Sequence, residues 1–279
     1  VEYPIGSDEN EAENAYLTYN ATVGDTLDRE LYIAFQVLDY ALCTAPGAPL
    51  KRALLEKGIG TDIYSIYENG IKQPYFSIVS KNADEKQEKE FVETVEEVLG
   101  KIVKDGFDKK ALYAALSHYE FKYREADFGS TPKGLMYGLQ MLDSWLYDDA
   151  KPFIHVEANA TFAALKKKVE EGYFEELVKK YLIENTQKSI LLLLPRKGLT
   201  EKSDKELEEK LAAYKAGLTK EEIAKIIADS KALKEYQDSE DAEEDLQKIP
   251  LLTREDMKRE ATKTVNELRS IGNTPFLYH

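Results

Sequence analysis

Hydrophobic and polar residues alternate first at residues 15–23, where Ala15, Leu17, Tyr19, Ala21 and Val23 are separated by Tyr16, Thr18, Asn20 and Thr22. A two-residue period is that of a strand with one buried and one wetter face. Leu31, Ala34, Phe35, Leu38, Ala41 and Leu42 then recur at helical spacing, until Pro46 and Gly47 stop that helix ahead of a shorter one at 50–57. Residues 61–67 and 75–80 are rich in β-branched and aromatic side chains and flank Asn69, Gly70 and Pro74, which predicts a hairpin.

Phe91, Val92, Val95, Val98, Leu99, Ile102 and Val103 mark a long amphipathic helix ended by Gly106, with Asp108 placed to cap the next one. Further helices are expected at about 133–147, 161–170 and 173–184. The run from Ile190 to Leu194 is apolar on both faces and reads as a strand in the sheet interior or beneath a neighbouring element. The expected class is therefore α+β over residues 1–197. Strands at 15–23, 61–67, 75–80 and 189–194 share one mainly antiparallel sheet, with helices packed on one face.

Beyond Pro195 the strand signal fades and acidic residues outnumber basic ones. Ser203 with Glu206 and Thr219 with Glu222 have capping-box spacing. Leu207, Leu211 and Tyr214, then Ile223, Ile226, Ile227 and Leu233, give each of two helices an apolar stripe, which predicts an antiparallel helical hairpin at 198–249 joined near Gly217. The acidic stretch 238–245 reads as a solvated linker, and Pro250 restarts structure in a last segment, 250–279. There Phe276, Leu277 and Tyr278 form a strand-like run expected to lack a partner after it.

Of 279 residues 43% are hydrophobic, enough for a sizeable core, and the net charge of −14 disfavours nucleic-acid phosphates and anionic membranes. Cys43 is the only cysteine, so an intrachain disulfide and thiolate metal clusters are excluded, and the expected compartment is the cytoplasm or another reducing one. No apolar run approaches a membrane span, and residues 1–14 are acidic where a targeting signal is basic. Any targeting segment of the parent is expected to lie outside this chain.

PLKRALLEKGIG at 49–60, KQPYFSI at 72–78, GFDKKAL at 106–112, EFKYREADFGSTPKGL at 120–135 and WLYDDAKPF at 145–153 follow one another in the order and spacing of a known domain. They resemble the second domain of the presequence protease branch of the pitrilysin and insulinase zinc metallopeptidases. The stretch KGLTEKSDKELEEKLAAYKAGLTKEEIAKIIADSKALKEYQ is similar to that family's connecting hairpin, and the remainder looks like the entry into its third domain. The resemblance implies a parent of four related α+β domains clasped around a chamber where unfolded peptides are cut. Its partners would be the remaining domains of the same polypeptide and those peptides. Zinc would sit in the parent's first domain on an inverted H-x-x-E-H helix.

This chain has no counterpart of that motif. Its three histidines, His118, His155 and His279, include no pair four residues apart, so neither a catalytic nor a metal-ligating residue is assigned, and no cofactor is expected in this segment. His118 lies two from Glu120 and so faces away from it on a helix, and it reads as a packing histidine, as does His155 beside Glu157; His279 carries no argument. Gly58 and Gly60 lack a third glycine at Ile63 for a dinucleotide loop. Gly129, Pro132 and Gly134 read as an interhelical turn near Arg124, and Glu120 with Arg124, beside Glu125, as an i,i+4 pair. Asn20 and Asn159 begin glycosylation sequons without a secretory signal. Tyr113, Tyr119, Phe121, Tyr123, Phe128 and Tyr137 are expected mostly in packing, with a minority lining the chamber; which residues touch substrate is not assigned. The preferred function is a non-catalytic segment serving as chamber wall and hinge, and the alternative is a free-standing, non-catalytic peptide-binding or subunit-like protein of the same fold.

Overall fold

A computed structural model describes residues 1–257, 260 and 266–278, and the chain divides into two compact units, 1–208 and 209–279. In the first unit five strands form one sheet in the order β1 (Glu2–Ile5), β5 (Lys188–Lys197), β2 (Ala15–Thr22), β4 (Tyr75–Ala83) and β3 (Asp62–Glu68). The pairs β3–β4, β2–β4 and β2–β5 are antiparallel and only β1–β5 is parallel, so the expected α+β class and mainly antiparallel sheet are what the chain adopts. Strand β1 lies where an acidic lead-in was expected: the Val1 amine donates to Leu192 O at 3.0 Å and Arg196 pairs with Glu2 at 2.8 Å.

The alternation in β2 sorts its side chains as anticipated. Leu17, Tyr19 and Ala21 are buried beneath the helices, and the other face carries Thr18, Asn20 and Ser77, joined by Asn20 Nδ2 to Thr18 Oγ1 at 2.9 Å and Ser77 Oγ to Asn20 Oδ1 at 2.6 Å. Strand β5 departs from the expected burial, with Ile190 and Leu191 37% and 40% exposed. The reason is register. Strand β1 reaches only Leu194 to Lys197, which leaves the first half of β5 as an edge.

The helical layer is built from α1 (Arg29–Asp39), α2 (Pro49–Glu56), α3 (Glu88–Asp105), α4 (Lys109–Glu125), α5 (Lys133–Trp145), α6 (Asn159–Lys168) and α7 (Tyr173–Leu177). Asp28 caps α1 by accepting from the amides of Glu30 and Leu31, and Asp108 caps α4 by accepting from Lys110 N. Helix α1 continues as a π-helical turn over Tyr40–Thr44 before Pro46, and α7 likewise over Val178–Ile183. Phe35, Phe76, Phe91, Phe162 and Phe174 are fully buried in one core with Leu17, Leu38 and Leu54. Removing such a ring costs about 3–5 kcal/mol, so these side chains weld the helices to the sheet.

Helix α5 is the exception in this layer. Only Ser144 of it is buried, while Leu135, Leu139 and Leu142 are exposed.

The later helices form where expected, as α8 (Leu199–Ala216) and α9 (Lys220–Asp238). Thr219 caps α9 with the predicted box, Thr219 N donating to Glu222 Oε2 at 2.8 Å and Glu222 N to Thr219 Oγ1 at 3.2 Å. The box expected at Ser203 does not form, because the chain turns out of β5 through Gly198, at φ +76°, and α8 has already begun at Leu199. The predicted stripes stay in solvent: Leu211 and Tyr214 are 55% and 63% exposed and Ile227 63%, so neither is buried in a hairpin interface. The acidic stretch holds a short exposed helix, α10 (Glu243–Leu246).

In the second unit the apolar run 276–278 does have a partner, and it lies before the run. Strands β6 (Glu267–Ile271) and β7 (Thr274–Tyr278) pair across the two-residue loop Gly272–Asn273, with Gly272 at φ +61°. Glycine at the first loop position suits the tight turn of a hairpin.

Candidate functional site: an aromatic pocket around Asp143

Between α1, α4 and α5 the first unit holds a cavity of about 590 Å³. Helix α1 contributes Tyr32 and Gln36, α4 contributes Tyr119, Lys122 and Tyr123, and α5 contributes Met136, Tyr137, Leu139, Gln140 and Asp143, with Phe128 from the loop between the last two. Helical spacing makes this possible: Tyr32 and Gln36, Tyr119 and Tyr123, and Gln140 and Asp143 each lie three or four apart on one face.

The polar groups in the pocket form two sets, linked by Gln36 Nε2 donating to the Tyr32 backbone carbonyl at 3.1 Å. Tyr32 Oη donates to Asp143 Oδ2 at 2.7 Å, while Tyr123 Oη accepts from Gln36 Nε2 at 3.2 Å and from Gln140 Nε2 at 3.1 Å. Asp143 is further held through its carbonyl, which accepts from Thr26 Oγ1 at 3.0 Å. Among the described residues its carboxyl forms no ion pair with lysine or arginine. Burial raises the Asp143 pKa, the Tyr32 hydrogen bond lowers it in part, and the negative charge of Glu68 raises it again. Burial raises the Tyr32 hydroxyl far above its ordinary value, so it remains a proton donor, and pushes Tyr123 up to about 12.

Beneath Tyr32 lies His155. Its ring stacks on Tyr32 with centroids 3.6 Å apart, and it is 1% exposed. Among the described residues neither ring nitrogen has a hydrogen-bond partner within bonding distance. Burial lowers its pKa to about 4, with the Arg29 charge adding to the fall and the nearby Thr26 backbone only partly offsetting it, so the ring is neutral at physiological pH.

The other sequence candidates scatter. His118 is an exposed α4 residue stacked on Tyr40 at 4.7 Å, and His279 lies outside the described residues. Glu120 takes Arg124 at 2.6 Å, as its spacing predicts, and also the ammonium of Lys166 from α6, so the pair ties two helices together. Gly129, at φ +60°, and Pro132 do form the turn between α4 and α5, whereas Gly134 is already inside α5. Gly58 and Gly60 form the turn into β3, Asn20 sits in the sheet, and Asn159 is exposed at the start of α6. Of the aromatic set Tyr119, Tyr123, Phe128 and Tyr137 meet at the pocket, while Tyr113 bonds Glu170 at 3.1 Å elsewhere and Phe121 is 65% exposed.

Among the described residues no group of three or more His, Cys, Asp or Glu converges as metal ligands. Cys43 is buried, and burial holds its thiol up at about 12, far from thiolate chemistry. No helix of the described residues is long and apolar enough to cross a membrane.

A sheet with its helical layer on one face is a fold that solved structures share. The structure superposes with a TM-score of 0.51 on the inactive peptidase domain of a Bordetella parapertussis protein described as a zinc protease, at 11% identity over 66% of this chain and 91% of that one. A Bordetella pertussis counterpart gives 0.50, also at 11% identity, over 66% and 95%. The family model for the peptidase M16 inactive domain matches residues 2–119, and the model for the region associated with subfamily C of the M16 peptidases matches 193–279. The chain is 39% identical over 277 residues to protein HypA of Clostridium perfringens, covering 99% of this chain and 28% of that protein. It is 30% identical to presequence protease 1 of Arabidopsis thaliana, a chloroplastic and mitochondrial protein, over 99% and 26%. The chain belongs to the M16 peptidase family, within its presequence protease branch, as an inactive-domain segment. It spans about a quarter of the length of the curated relatives it matches.

Proposed function

We propose that this chain is a non-catalytic segment of a zinc metallopeptidase that degrades unfolded peptides in a closed chamber, where it supplies wall and hinge. The observation that carries the reading is collinearity: the identity to presequence protease 1 of Arabidopsis thaliana runs along 99% of this chain while accounting for 26% of that protein. The match of residues 2–119 to an inactive-domain model supports the assignment of the metal to another part of the parent. Zinc there would polarise the scissile carbonyl and activate a water. This segment's part is confinement: a rigid sheet-and-helix body excludes folded proteins by size, and α8 with α9 is the joint about which the halves of the parent open and close. The reading is tested on the full polypeptide. It should cut unstructured peptides, spare folded proteins, and lose cutting when a disulfide locks the joint closed. Cutting that survives the lock would remove the hinge role.

A further inference from the structure

The pocket at Asp143 has chemistry that a wall alone does not need. Among the described residues the half-buried carboxyl has Tyr32 as its one side-chain donor, leaving capacity on both oxygens, since an ionised carboxylate has about four acceptor sites. The other charge it feels is the like charge of Glu68, whose Oε1 is bound to Gly70 N at 3.2 Å on the same side. Lys122 lines the cavity, but its ammonium rests 5.6 Å from the Tyr119 ring centroid and forms no ion pair among the described residues. The walls are phenol rings, Phe128, Leu139, Val156 and the Met136 thioether; a second carboxylate, Asp127, lines the cavity and accepts from Gly129 N at 2.9 Å, and the Gln36 and Gln140 amides donate to Tyr123 Oη. An uncompensated anion in an aromatic enclosure is a receptor for a cation with an apolar stem.

We propose that this pocket is a subsite for an arginine side chain of a bound, extended peptide, with the Asp143 carboxylate as its counter-ion and the rings of Tyr32, Tyr123 and Tyr137 as its walls. Arginine fits better than lysine. Its planar guanidinium stacks on rings, gives a carboxylate two parallel N–H bonds, and is less strongly hydrated than an ammonium. The α-carbon of the residue would remain at the cavity mouth near Leu139 and Phe128, so the peptide backbone stays outside. The peptide as ligand rests on the functional reading above; the guanidinium subsite itself does not.

The test uses three probes on the intact chain, followed by amide and tyrosine-ring NMR: N-acetyl-arginine amide, a flexible Gly/Ser/Ala peptide with one arginine, and the same peptide with citrulline in its place. Citrulline keeps the shape and removes the charge. The arginine peptide should shift Tyr32, Tyr123, Gln140 and Asp143, and citrulline should weaken binding at least about tenfold, the scale of a lost charge-assisted hydrogen bond. Asp143→Asn, which keeps an acceptor for Tyr32, should weaken the arginine peptide to the same level and leave the citrulline peptide unchanged. Equal binding of the two peptides, or shifts confined to other surfaces, would overturn the subsite while leaving peptide contact standing. Binding of N-acetyl-arginine amide at Asp143 with neither peptide bound would uphold the subsite and overturn the peptide as its ligand. No binding of any probe would overturn the proposal outright, and the citrulline comparison on the unaltered chain does not depend on how well the variant folds.

Discussion

Tyr32 Oη and Asp143 Oδ2 meet at 2.7 Å across 111 residues of sequence, and this hydrogen bond ties the otherwise sparsely buried α5 to the α1 core. Tyr32→Phe leaves the carboxyl half-buried without its side-chain donor. The expected cost is about 1–3 kcal/mol in urea unfolding. It should be accompanied by faster amide exchange in α5 than in α1. A variant as stable as the wild type would mean that α5 is held by other contacts.

The same carboxyl makes a signed pH prediction. Its pKa is raised in the folded state by burial, so the folded chain binds its proton more tightly than the unfolded one. The stabilisation is full below the unfolded carboxyl pKa of about 3.9 and is lost as pH rises through the higher folded value. Asp143→Asn removes this loss. Relative to the wild type, the variant should gain stability as pH is raised from about 4 towards neutrality. Urea midpoints measured across that range check it, and a constant difference would contradict it.

His155 runs the other way. Its folded pKa is lowered to about 4, so below the unfolded value the unfolded chain takes up a proton that the folded chain refuses. Stability contributed by the neutral ring is full above about 6.5 and is lost as pH falls towards 4, by up to about 3 kcal/mol. His155→Phe should flatten this part of the profile while keeping the stack on Tyr32. Unfolding curves of the two proteins between those pH values give the comparison.

Two neighbouring glycines separate backbone strain from collision. Gly58 and Gly60 sit at φ +67° and +74°, but a Cβ on Gly58 meets nothing, whereas on Gly60 it would lie 2.2 Å from Ser80 Oγ and 2.6 Å from Lys81 O. Gly58→Ala should cost about 1 kcal/mol and Gly60→Ala clearly more, at least about 2–3 kcal/mol, because a backbone oxygen cannot step aside. Thermal unfolding of both variants decides whether the approach of β4 to this turn is as tight as described.

Short-range pattern carried most of the first unit into view. The alternation of Leu17, Tyr19 and Ala21, the turn at Asn69 and Gly70, and the cap Asp108 are each set by neighbours within a few residues, and each appears in the structure. Strand β1 was not legible, because four residues are too short for a period and their partner is almost 200 positions away in β5. The partner of Phe276 was overlooked for a different reason: Gly272–Asn273 is a local turn signal whose first strand, Glu267–Ile271, has only Leu268 and Ile271 as apolar residues and is exposed throughout. At the pocket, Tyr119, Tyr123, Phe128 and Tyr137 belonged to the aromatic set already noted. Tyr32, Gln36 and Asp143 were missed, since only closure of α1 on α5 brings them together. The available hint was a lone carboxylate, Asp143, set among Met141, Leu142 and Trp145 on an apolar helix.

The proposal that this chain is part of a peptidase but does not itself cut is tested most directly by one cleavage assay. An internally quenched, unstructured peptide is incubated with the purified chain in excess zinc, and in parallel with the complete parent polypeptide. The account predicts no turnover by the chain alone and turnover by the parent. Metal-dependent cleavage by the isolated chain, abolished by changing His118 or His155, would contradict it.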